Sequence, residues 1–481
     1  MKSLFNHYQI EPPFIDEVFK TSTEPQDLYK DILEAFYSYS SEDFTRLNES
    51  AKLAFLHEGV TFSVYGEGMD SIDQVFPFDL LPRTISAQEW DEVSVGLLQR
   101  NQAINMFLED IYNDQKILKE KVVPAEMVLS SPHFNKLMQG FSPIGGIYNH
   151  ISGTDLIKHS DNKFYVLEDN VRCPSGVAYV LSNRNAMRKT FTKIFKDFKV
   201  RPVDDYSEQL LQVMLSVSPQ AGEGNCVVLT PGAYNSAFYE HAILAHTMGT
   251  PLVEGRDLLV KNNIVYMKTI KGHVRVDVIY RRIDDDFIDP MVFDPTSMLG
   301  VPGLMQAYRE GNVTLINAPG TGASDDKAIY DYIPTIIKYY LDEQPILNNV
   351  PTYHCEREED LNYVLDNLDK VVIKPVDMSG GYGIYIGSKC SAEELEELAK
   401  KIKANRRGYV AQPIMNLSQH STFIDDKSCF EPRHVDLRAF TLLGKDHSYV
   451  LQGGLTRVAL KKGSLIVNSS QGGGSKDTWI V

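Results

Sequence analysis

Residues 153–176, GTDLIKHSDNKFYVLEDNVRCPSG, constrain the fold more than any other part of the chain. Two alternating segments, TDLIK and KFYVLEDN, flank the short polar joint HSDN, and this pattern predicts a β-hairpin. Glu168 and Asn170 are two residues apart and therefore share one face, and the hairpin brings Asp155 across from them. Two carboxylates and an amide oxygen are hard ligands suited to Mg²⁺. The alternative is an ordinary solvated strand end.

A lysine at the end of an apolar strand gives a second signal. In KVVIKPVDMSGGYG, Lys374 ends the strand, and Gly380 and Gly381 follow in a Gly-rich turn. Glycines let backbone N–H groups approach phosphate oxygens, and a lysine adds a positive charge. Such a segment can bind phosphate, although a Gly-rich hairpin can equally be only a turn.

Two further strands carry polar residues at places where chemistry is possible. Gln412 ends the strand in GYVAQPI, where an amide can read an adenine edge or simply be a polar strand end. In RHVDLRAF, Asp436 and Arg438 alternate onto one face. That arrangement can place Arg438 at a transferring phosphoryl group, or it can be a structural ion pair.

The order of short strands and helices divides the chain into four parts. The start is mostly helical, a long middle section alternates strands and helices as parallel sheets do, and a smaller α/β piece follows. The hairpin section and the strand-rich end form the remaining core. These observations predict an α/β fold, α+β in parts, divided at 1–125, 126–200 with 416–481, 201–344 and 345–415.

Composition excludes several classes of protein. The 481 residues, of which 43% are hydrophobic, can form several packed lobes. The net charge of −16 and the lack of a basic run argue against a nucleic-acid partner. Five dispersed cysteines without a CxxC pair fit a reducing compartment. With no signal-like start and no 18-residue apolar run, the sequence predicts a cytoplasmic protein without a membrane partner.

Taken in order, these blocks resemble the circularly permuted type 2 ATP-grasp family, which is similar to glutathione synthetase and glutathionylspermidine synthetase. A typical ATP-grasp protein runs from the Lys-Pro and Gly-rich loop to a final G-x-D … E-x-N-x-x-x-P-x-G block. Here that final block comes first, at 153–176, and the others follow at 374–438. RRIDDDFIDP, APGTGASDDKA and VNSSQGGGSKDTW also look like blocks of that family. The resemblance covers nearly the whole chain and implies a circularly permuted ATP-grasp fold.

The resemblance also implies roles for individual residues, with ATP and Mg²⁺ as cofactors. The implied Mg²⁺ ligands are Asp155, Glu168 and Asn170. The implied ATP-binding residues are Lys327, Lys374, Gly380, Gly381 and Gln412. The implied catalytic residues are Arg438 and, beside Arg281 at a substrate-binding strand end, Arg282.

The resemblance makes 345–415 the lid of the fold, and the Gly-rich loop of this lid departs from the family pattern at one metal ligand. The related synthetases carry a glutamate there as a further Mg²⁺ ligand, whereas Met378 overlays that position and Asp377 is one residue away. Whether Asp377 binds metal therefore stays open. The tract 468–477, NSSQGGGSKD, is predicted to be an active-site loop, with Trp479, Ile480 and Val481 docking beyond it.

The implied reaction is Mg²⁺-dependent ligation of a carboxylate to an amine through an acyl phosphate. The partners would be a small-molecule or peptide substrate with a carboxylate and an amine acceptor, and a homo-oligomer is compatible with the sequence. Two other functions stay open. A phosphotransferase would use a histidine beside the site, and we expect His434 alone to lie near these motifs. A nucleotide-binding scaffold would turn over little ATP.

Overall fold

The computed structural model describes residues 3–64, 72–377, 383–467 and 473–481, and its elements are numbered here in chain order. The long helix of the first part places Trp90 fully buried in the core. Among the described residues, no helix has the length and apolar character needed to cross a membrane. The first helices and strands are β1 (Phe19–Thr21), β2 (Glu24–Pro25), α1 (Lys30–Phe36), α2 (Ser41–His57), β3 (Thr61–Val64), β4 (Ile72–Val75), β5 (Phe78–Ile85), α3 (Ala87–Tyr112), α4 (Lys116–Lys119) and α5 (Ala125–Leu129).

Helix starts in this part follow local capping rules. The Ser40 side chain accepts from the backbone of Asp43, whose carboxylate accepts from Ser40 in return, so α2 begins with a capping box. The Ser86 side chain caps α3 in a similar way by accepting from Glu89 N. The hairpin and the helices after it are β6 (Ile151–Lys158), β7 (Phe164–Asn170), α6 (Val177–Thr190), α7 (Thr192–Asp197) and α8 (Tyr206–Ser216).

A four-stranded sheet in the middle of the chain has the order β14-β13-β8-β9, and all of its pairs are parallel. This confirms the parallel sheet that the sequence predicted. The helix after β8 ends at Gly249, which adopts the left-handed conformation that favours glycine there. The elements are β8 (Cys226–Leu229), α9 (Phe238–Met248), β9 (Leu252–Val253), β10 (Leu258–Lys261), β11 (Ile264–Thr269), β12 (Gly272–Arg275), β13 (Val278–Arg281), α10 (Leu304–Arg309), β14 (Thr314–Ile316), α11 (Lys327–Tyr330) and α12 (Ile333–Leu341).

The next section forms a small antiparallel sheet in the order β16-β19-β17-β18, covered by charged helices. The last of these helices buries only Leu398 and Ile402, as expected of an amphipathic helix on a small sheet. The elements are β15 (Asn348–Asn349), β16 (Tyr353–His354), α13 (Glu358–Asp366), β17 (Val371–Pro375), β18 (Tyr385–Ile386), α14 (Ala392–Ala404) and β19 (Tyr409–Pro413).

The largest sheet joins segments that are far apart in the chain. Its nine strands run β15-β7-β6-β21-β23-β24-β5, with β20 and β22 paired to β21. Trp479 and Ile480 are fully buried in β24, the last strand along the chain, which confirms that these residues dock. The mixed α/β class is confirmed, and the four-part division stays a prediction. The remaining strands are β20 (Gln419–Ile424), β21 (Cys429–Leu443), β22 (Ser448–Val450), β23 (Leu455–Val458) and β24 (Gly474–Ile480).

Candidate functional site

The β6–β7 hairpin places three candidate ligands beside one another. The two strands are antiparallel, with Asp155 directly opposite Glu168 and Gly153 opposite Asn170. This register confirms the predicted hairpin. Asn170 donates from Nδ2 to the carbonyl of Gly153 at 3.1 Å. Its amide oxygen is therefore the atom left to face a cation.

The residue between the two candidate ligands points the other way and fixes the hairpin. Asp169 is buried and pairs with Arg100 of α3, whose Nη2 lies 2.7 Å from Oδ2. The Nε of Arg100 also donates to Asp169 Oδ1 at 2.8 Å. Because neighbouring strand residues alternate between faces, this ion pair directs Glu168 and Asn170 to the opposite side.

A buried asparagine connects the hairpin to the parallel sheet. Asn317 follows β14, and its Oδ1 accepts from the backbone N–H of His150 and of Ile151 at 2.8 Å each. Its Nδ2 donates to the carbonyls of Ile151 and Val171 at 2.6 and 2.8 Å. Both ends of the hairpin are thereby held against the parallel sheet.

Asp155 is enclosed by two arginines. Arg438 Nε lies 2.6 Å from Oδ1, and Arg457 Nη2 lies 2.8 Å from Oδ2. Burial alone would raise the pKa of Asp155, but the two guanidinium groups overcome that effect and hold it well below its usual range. In this arrangement, Asp155 positions the two arginines, and its role as a metal ligand stays a prediction.

Arg457 is a site residue that the sequence did not reveal. It lies opposite Asp436 in the pairing of β21 with β23, and its Nη2 is 2.5 Å from Asp436 Oδ2. Asp436 and Arg438 thus alternate on one strand. Asp436 pairs with Arg457, and Arg438 pairs with Asp155. The available signal was a charged residue inside the otherwise apolar strand LTRVAL.

Glu168 is the more open carboxylate of the hairpin. Its side chain is 24% exposed, its Oε1 lies 4.0 Å from Arg438 Nη2, and its Oε2 lies 3.9 Å from Lys327 Nζ. No trio of His, Cys, Asp and Glu side chains that could hold a metal occurs within 3–64, 72–377, 383–467 and 473–481. A cation here would therefore need the oxygen of Asn170 as well as carboxylates.

Lys374 and Gln412 lie together on neighbouring strands β17 and β19. Lys374 Nζ donates to Gln412 Oε1 at 2.6 Å, and Gln412 Nε2 donates to Thr352 Oγ1 at 3.0 Å. Burial lowers the pKa of Lys374 to about 8, an effect that nearby Glu168 partly offsets. Gln412 therefore orients the lysine, and both polar groups of its amide are already engaged.

The first cavity lies between the small antiparallel sheet β16-β19-β17-β18 and the nine-stranded sheet. Six charged residues line it, namely Asp155, Glu168, Lys327, Lys374, Asp436 and Arg457. Gly380 and Gly381 lie outside the described residues, as do 468–472 of the predicted C-terminal loop. The loop prediction was wrong for 474–477, which belong to the buried strand β24 and pair with β23 and β5. The apolar part of the cavity is formed by Ile157, Leu167, Val372, Ile384, Ile386, Met415, Leu417, Leu465, Ile466 and Val467.

A second cavity, of about 400 Å³, lies at the carboxyl ends of β8 and β13. Glu168 and Arg457 line both cavities, so the two meet at these residues. Ligand sites in α/β proteins commonly form at this edge of a parallel sheet. Arg438 lines the second cavity and approaches Glu168 at the junction.

Arg282 also lines the second cavity but is committed to neighbouring protein groups. Its Nη1 donates to the carbonyl of Pro174 at 2.7 Å and to the Tyr280 hydroxyl at 2.9 Å. Its Nη2 pairs with buried Glu240 at 3.0 Å and donates to Ser175 Oγ. These contacts fix the loop before α6, so Arg282 shapes the wall of the cavity.

A small third cavity brings Asp377 next to the candidate ligands. It is lined by Asp377, Glu168, Asn170 and Lys327, together with His133. Asp377 therefore lines the same cavity as Glu168 and Asn170, and whether it binds metal stays open.

Histidines approach the site from distant parts of the sequence. His241 of α9 lines the second cavity and His133 the third. The expectation that His434 alone adjoins the motifs was therefore wrong in three dimensions. His434 itself is buried, and its Nδ1 is 3.0 Å from the carbonyl of Leu417.

Comparisons with known proteins identify one family and one fold. The profile of the family described as circularly permuted ATP-grasp type 2 matches residues 82–459. An uncharacterized protein of Synechocystis is 50% identical over 469 residues, covering 97% of each chain. A glutathione synthetase-like effector of Globodera pallida, solved without ligand, aligns with a TM-score of 0.61 at 13% identity, covering 92% of this chain and 98% of the effector. That structural likeness concerns the fold alone.

One relative carries the name of an enzyme. A Frankia casuarinae protein named as a glutamate–cysteine ligase is 41% identical over 427 residues. The match covers 88% of this chain but only 48% of the Frankia protein. About half of the Frankia protein therefore lies outside the match, and the activity in its name belongs to that whole protein.

Proposed function

Because the chain belongs to the circularly permuted ATP-grasp type 2 family, we propose that it is a Mg²⁺-dependent ligase joining a carboxylate to an amine through an acyl phosphate. One observation carries this proposal. A cavity with two lysines and an apolar wall meets a second, arginine-lined cavity at Glu168 and Arg457. A ligase needs such a junction, because the phosphoryl group must pass from the nucleotide to a second substrate.

ATP would occupy the first cavity. The adenine would pack against side chains such as Ile386, Met415 and Leu417, and the phosphates would lie against Lys327 and Lys374. The hydrogen bond from Lys374 to Gln412 favours an orienting role for Gln412 over direct reading of the adenine.

The residues around Glu168 fit a hard cation. Glu168 and Asn170 present oxygen atoms, and Asp377 lines the same small cavity, while Asp155 stays behind the arginines. When bound there, Mg²⁺ would neutralise phosphate charge. Removing divalent metal is expected to abolish ADP formation in this scheme.

The reaction proceeds in two balanced steps. A substrate carboxylate oxygen attacks the γ-phosphorus, the bond to the bridging oxygen breaks, and ADP leaves. The amine nitrogen then attacks the acyl carbon, phosphate leaves, and the nitrogen loses a proton. Arg438 lies at the junction of the cavities and would stabilise negative charge on the transferring group. The surrounding protein positions both substrates and excludes water.

ATP binding is expected to take up protons above about pH 8. Lys374 has a pKa of about 8, so at a pH about half a unit higher it is mostly neutral, and phosphate charge would raise its pKa and protonate it. Calorimetric binding measured in two buffers of different ionisation enthalpy should report this uptake. Lys374→Arg is the matched control, since its guanidinium stays charged and should show none. Equal proton uptake by the native and Lys374→Arg proteins would rule out Lys374 as the group that is protonated when ATP binds.

The function is tested by ADP release with Mg·ATP and pools of amino acids, dipeptides and polyamines. The proposal expects ADP formation that requires an acid and an amine together. Failure of every pool to stimulate ADP release would favour a nucleotide-binding scaffold. ADP formation without an amine, accompanied by a stable phosphorylated product, would favour a phosphotransferase.

The position of His241 keeps phosphotransfer as a second candidate. Its Nδ1 lies 2.9 Å from Thr230 Oγ1, which leaves Nε2 for the cavity that the residue lines. Burial, reinforced by Arg282, lowers the pKa of His241 well below its usual value and keeps the ring neutral. Intact-mass measurement after incubation with Mg·ATP alone would reveal a phosphorylated histidine, which His241→Asn should remove.

A further inference from the structure

The second cavity has an aromatic side that ligation chemistry does not require. Phe62 and Phe76 reach it from the β3–β4 region, and Tyr179 reaches it from α6. From this wall we infer that the substrate bound in the second cavity is an amino acid or short peptide with a large apolar side chain, which Phe62 recognises. The inference deepens the proposed ligase function by naming its substrate class.

The three rings form one packed unit. Phe76 and Tyr179 stack with centroids 4.0 Å apart and an interplanar angle of 20°. Phe62 meets both of them edge-on, with centroid distances of 6.3 Å in each case. Phe76 and Tyr179 are almost fully buried, whereas Phe62 is partly exposed. Phe62 is therefore the ring that a ligand would touch, and the other two support it.

A hydrogen bond fixes this wall in place. The Tyr179 hydroxyl donates to the backbone carbonyl of Thr61 at 3.0 Å. Since Thr61 precedes Phe62, the bond ties the β3 backbone to the start of α6. The ring of Phe62 is consequently held at the cavity without being buried in the core, as expected for a residue that selects among ligands.

The rest of the cavity is polar and suits the head group of an amino acid. Asn235 and Ser236 lie after β8, and His241 adjoins them on α9. Glu168 and Arg457 mark the junction with the first cavity, and Arg438 lies beside it. A carboxylate or ammonium group can pair with these residues while an apolar side chain lies against Phe62. A volume of about 400 Å³ falls within the range for small-molecule pockets, about 300–1,000 Å³, and suits one or two residues.

The charge of the side chain should decide between competing substrates. A glutamate-like side chain laid against the aromatic wall would lose hydration there and meet no charged partner among Phe62, Phe76 and Tyr179. An apolar side chain gains contact there, and a single methylene changes selectivity by about 10–200-fold in such pockets. The cavity therefore favours leucine- or phenylalanine-like groups.

Binding calorimetry without nucleotide tests this inference. Phenylalanine, leucine, alanine and glutamate, each free and as the C-terminal residue of an alanyl dipeptide, are titrated into the native protein. We expect phenylalanine or leucine forms to bind at least about tenfold more tightly than alanine and glutamate forms. Equal affinity across the series, tighter binding of glutamate, or no binding of any apolar form would overturn the inference.

Variants of Phe62 test whether the aromatic wall causes the preference for apolar side chains. Phe62→Ala should remove the preference, and Phe62→Leu should keep most of it. The matched control Phe287→Ala changes another partly exposed phenylalanine, 38% exposed and outside the lining of this cavity, and should change nothing. Equal weakening of all ligands by Phe62→Ala would indicate a structural role and contradict the inference.

The same titrations separate this inference from the ligase proposal. Binding is measured without ATP. A preference for apolar side chains without any ADP release would therefore support the role of the aromatic wall and contradict the ligase proposal. ADP release stimulated only by charged or small substrates would support the ligase proposal and contradict the role of the aromatic wall.

Discussion

Glu168→Gln is expected to lower the rate of ADP formation by about 10²–10³-fold while the protein stays folded. The substitution keeps the volume of the side chain but removes the negative charge between Lys327 and Arg438, which lie 3.9 and 4.0 Å from the carboxylate. It also removes one anionic ligand from the proposed cation site. Steady-state ADP formation, with circular dichroism to verify folding, measures the effect.

Glu89 offers a matched control for that substitution. It is a glutamate of similar exposure, 26% against 24% for Glu168, and it also pairs with a lysine, at 2.8 Å from Lys158. It lies outside the linings of the three site cavities. Glu89→Gln should therefore leave the rate nearly unchanged. A folded Glu168→Gln protein with the native rate would rule out Glu168 as a ligand of the reacting centre.

Arg457→Met is expected to lower the free energy of unfolding by about 3–5 kcal/mol. Arg457 has a side-chain exposure of 6% and pairs with Asp155 and Asp436, whose side chains are 1% and 0% exposed. Methionine fills similar space but leaves carboxylates in the interior with fewer compensating charges. Burial already raises the pKa of Asp436, and Arg457 opposes this effect. Without Arg457, the buried carboxylate of Asp436 is more costly to ionise.

Two controls separate this effect from a general loss of charge. Lys427→Met breaks an exposed pair with Glu431 and should cost only about 0–1 kcal/mol. Adding Asp436→Asn to Arg457→Met should restore part of the lost stability, because one unpaired buried charge is removed. Chemical denaturation of the four proteins tests both points. A loss below about 1 kcal/mol for Arg457→Met would show that this network is not structural.

Local patterns were sufficient to predict the strands that carry the ligands. The alternation in TDLIK and KFYVLEDN reflects the two faces of a strand. Lys374 at the end of an apolar strand and the parallel sheet around β8 were predictable for the same reason. In each case, neighbours in the sequence determine the structure. The pairing of Asp155 with Glu168 depends in addition on a register shift between Asp155 and Leu156, which the short joint does not predict.

The residues that escaped prediction meet across long stretches of chain. Arg457 and Asp155 are 302 residues apart, and Asn317 is 166 residues from Ile151. Phe62 reaches the second cavity from a region in which the sequence suggested no chemistry. No periodicity encodes such pairings, because they depend on how separate strands assemble into one sheet. His241 escaped for the same reason, as it approaches the site from the parallel sheet.

Transfer of ¹⁸O from substrate to phosphate tests the central claim most directly. An acid–amine pair that stimulates ADP release is supplied with its carboxylate labelled, and the phosphate formed is analysed by mass spectrometry. An acyl phosphate predicts one labelled oxygen in each phosphate released, because the carboxylate oxygen that attacks the γ-phosphorus leaves with it. Phosphate that carries no label, formed at the same rate as ADP, would contradict carboxylate activation and reject the ligase account.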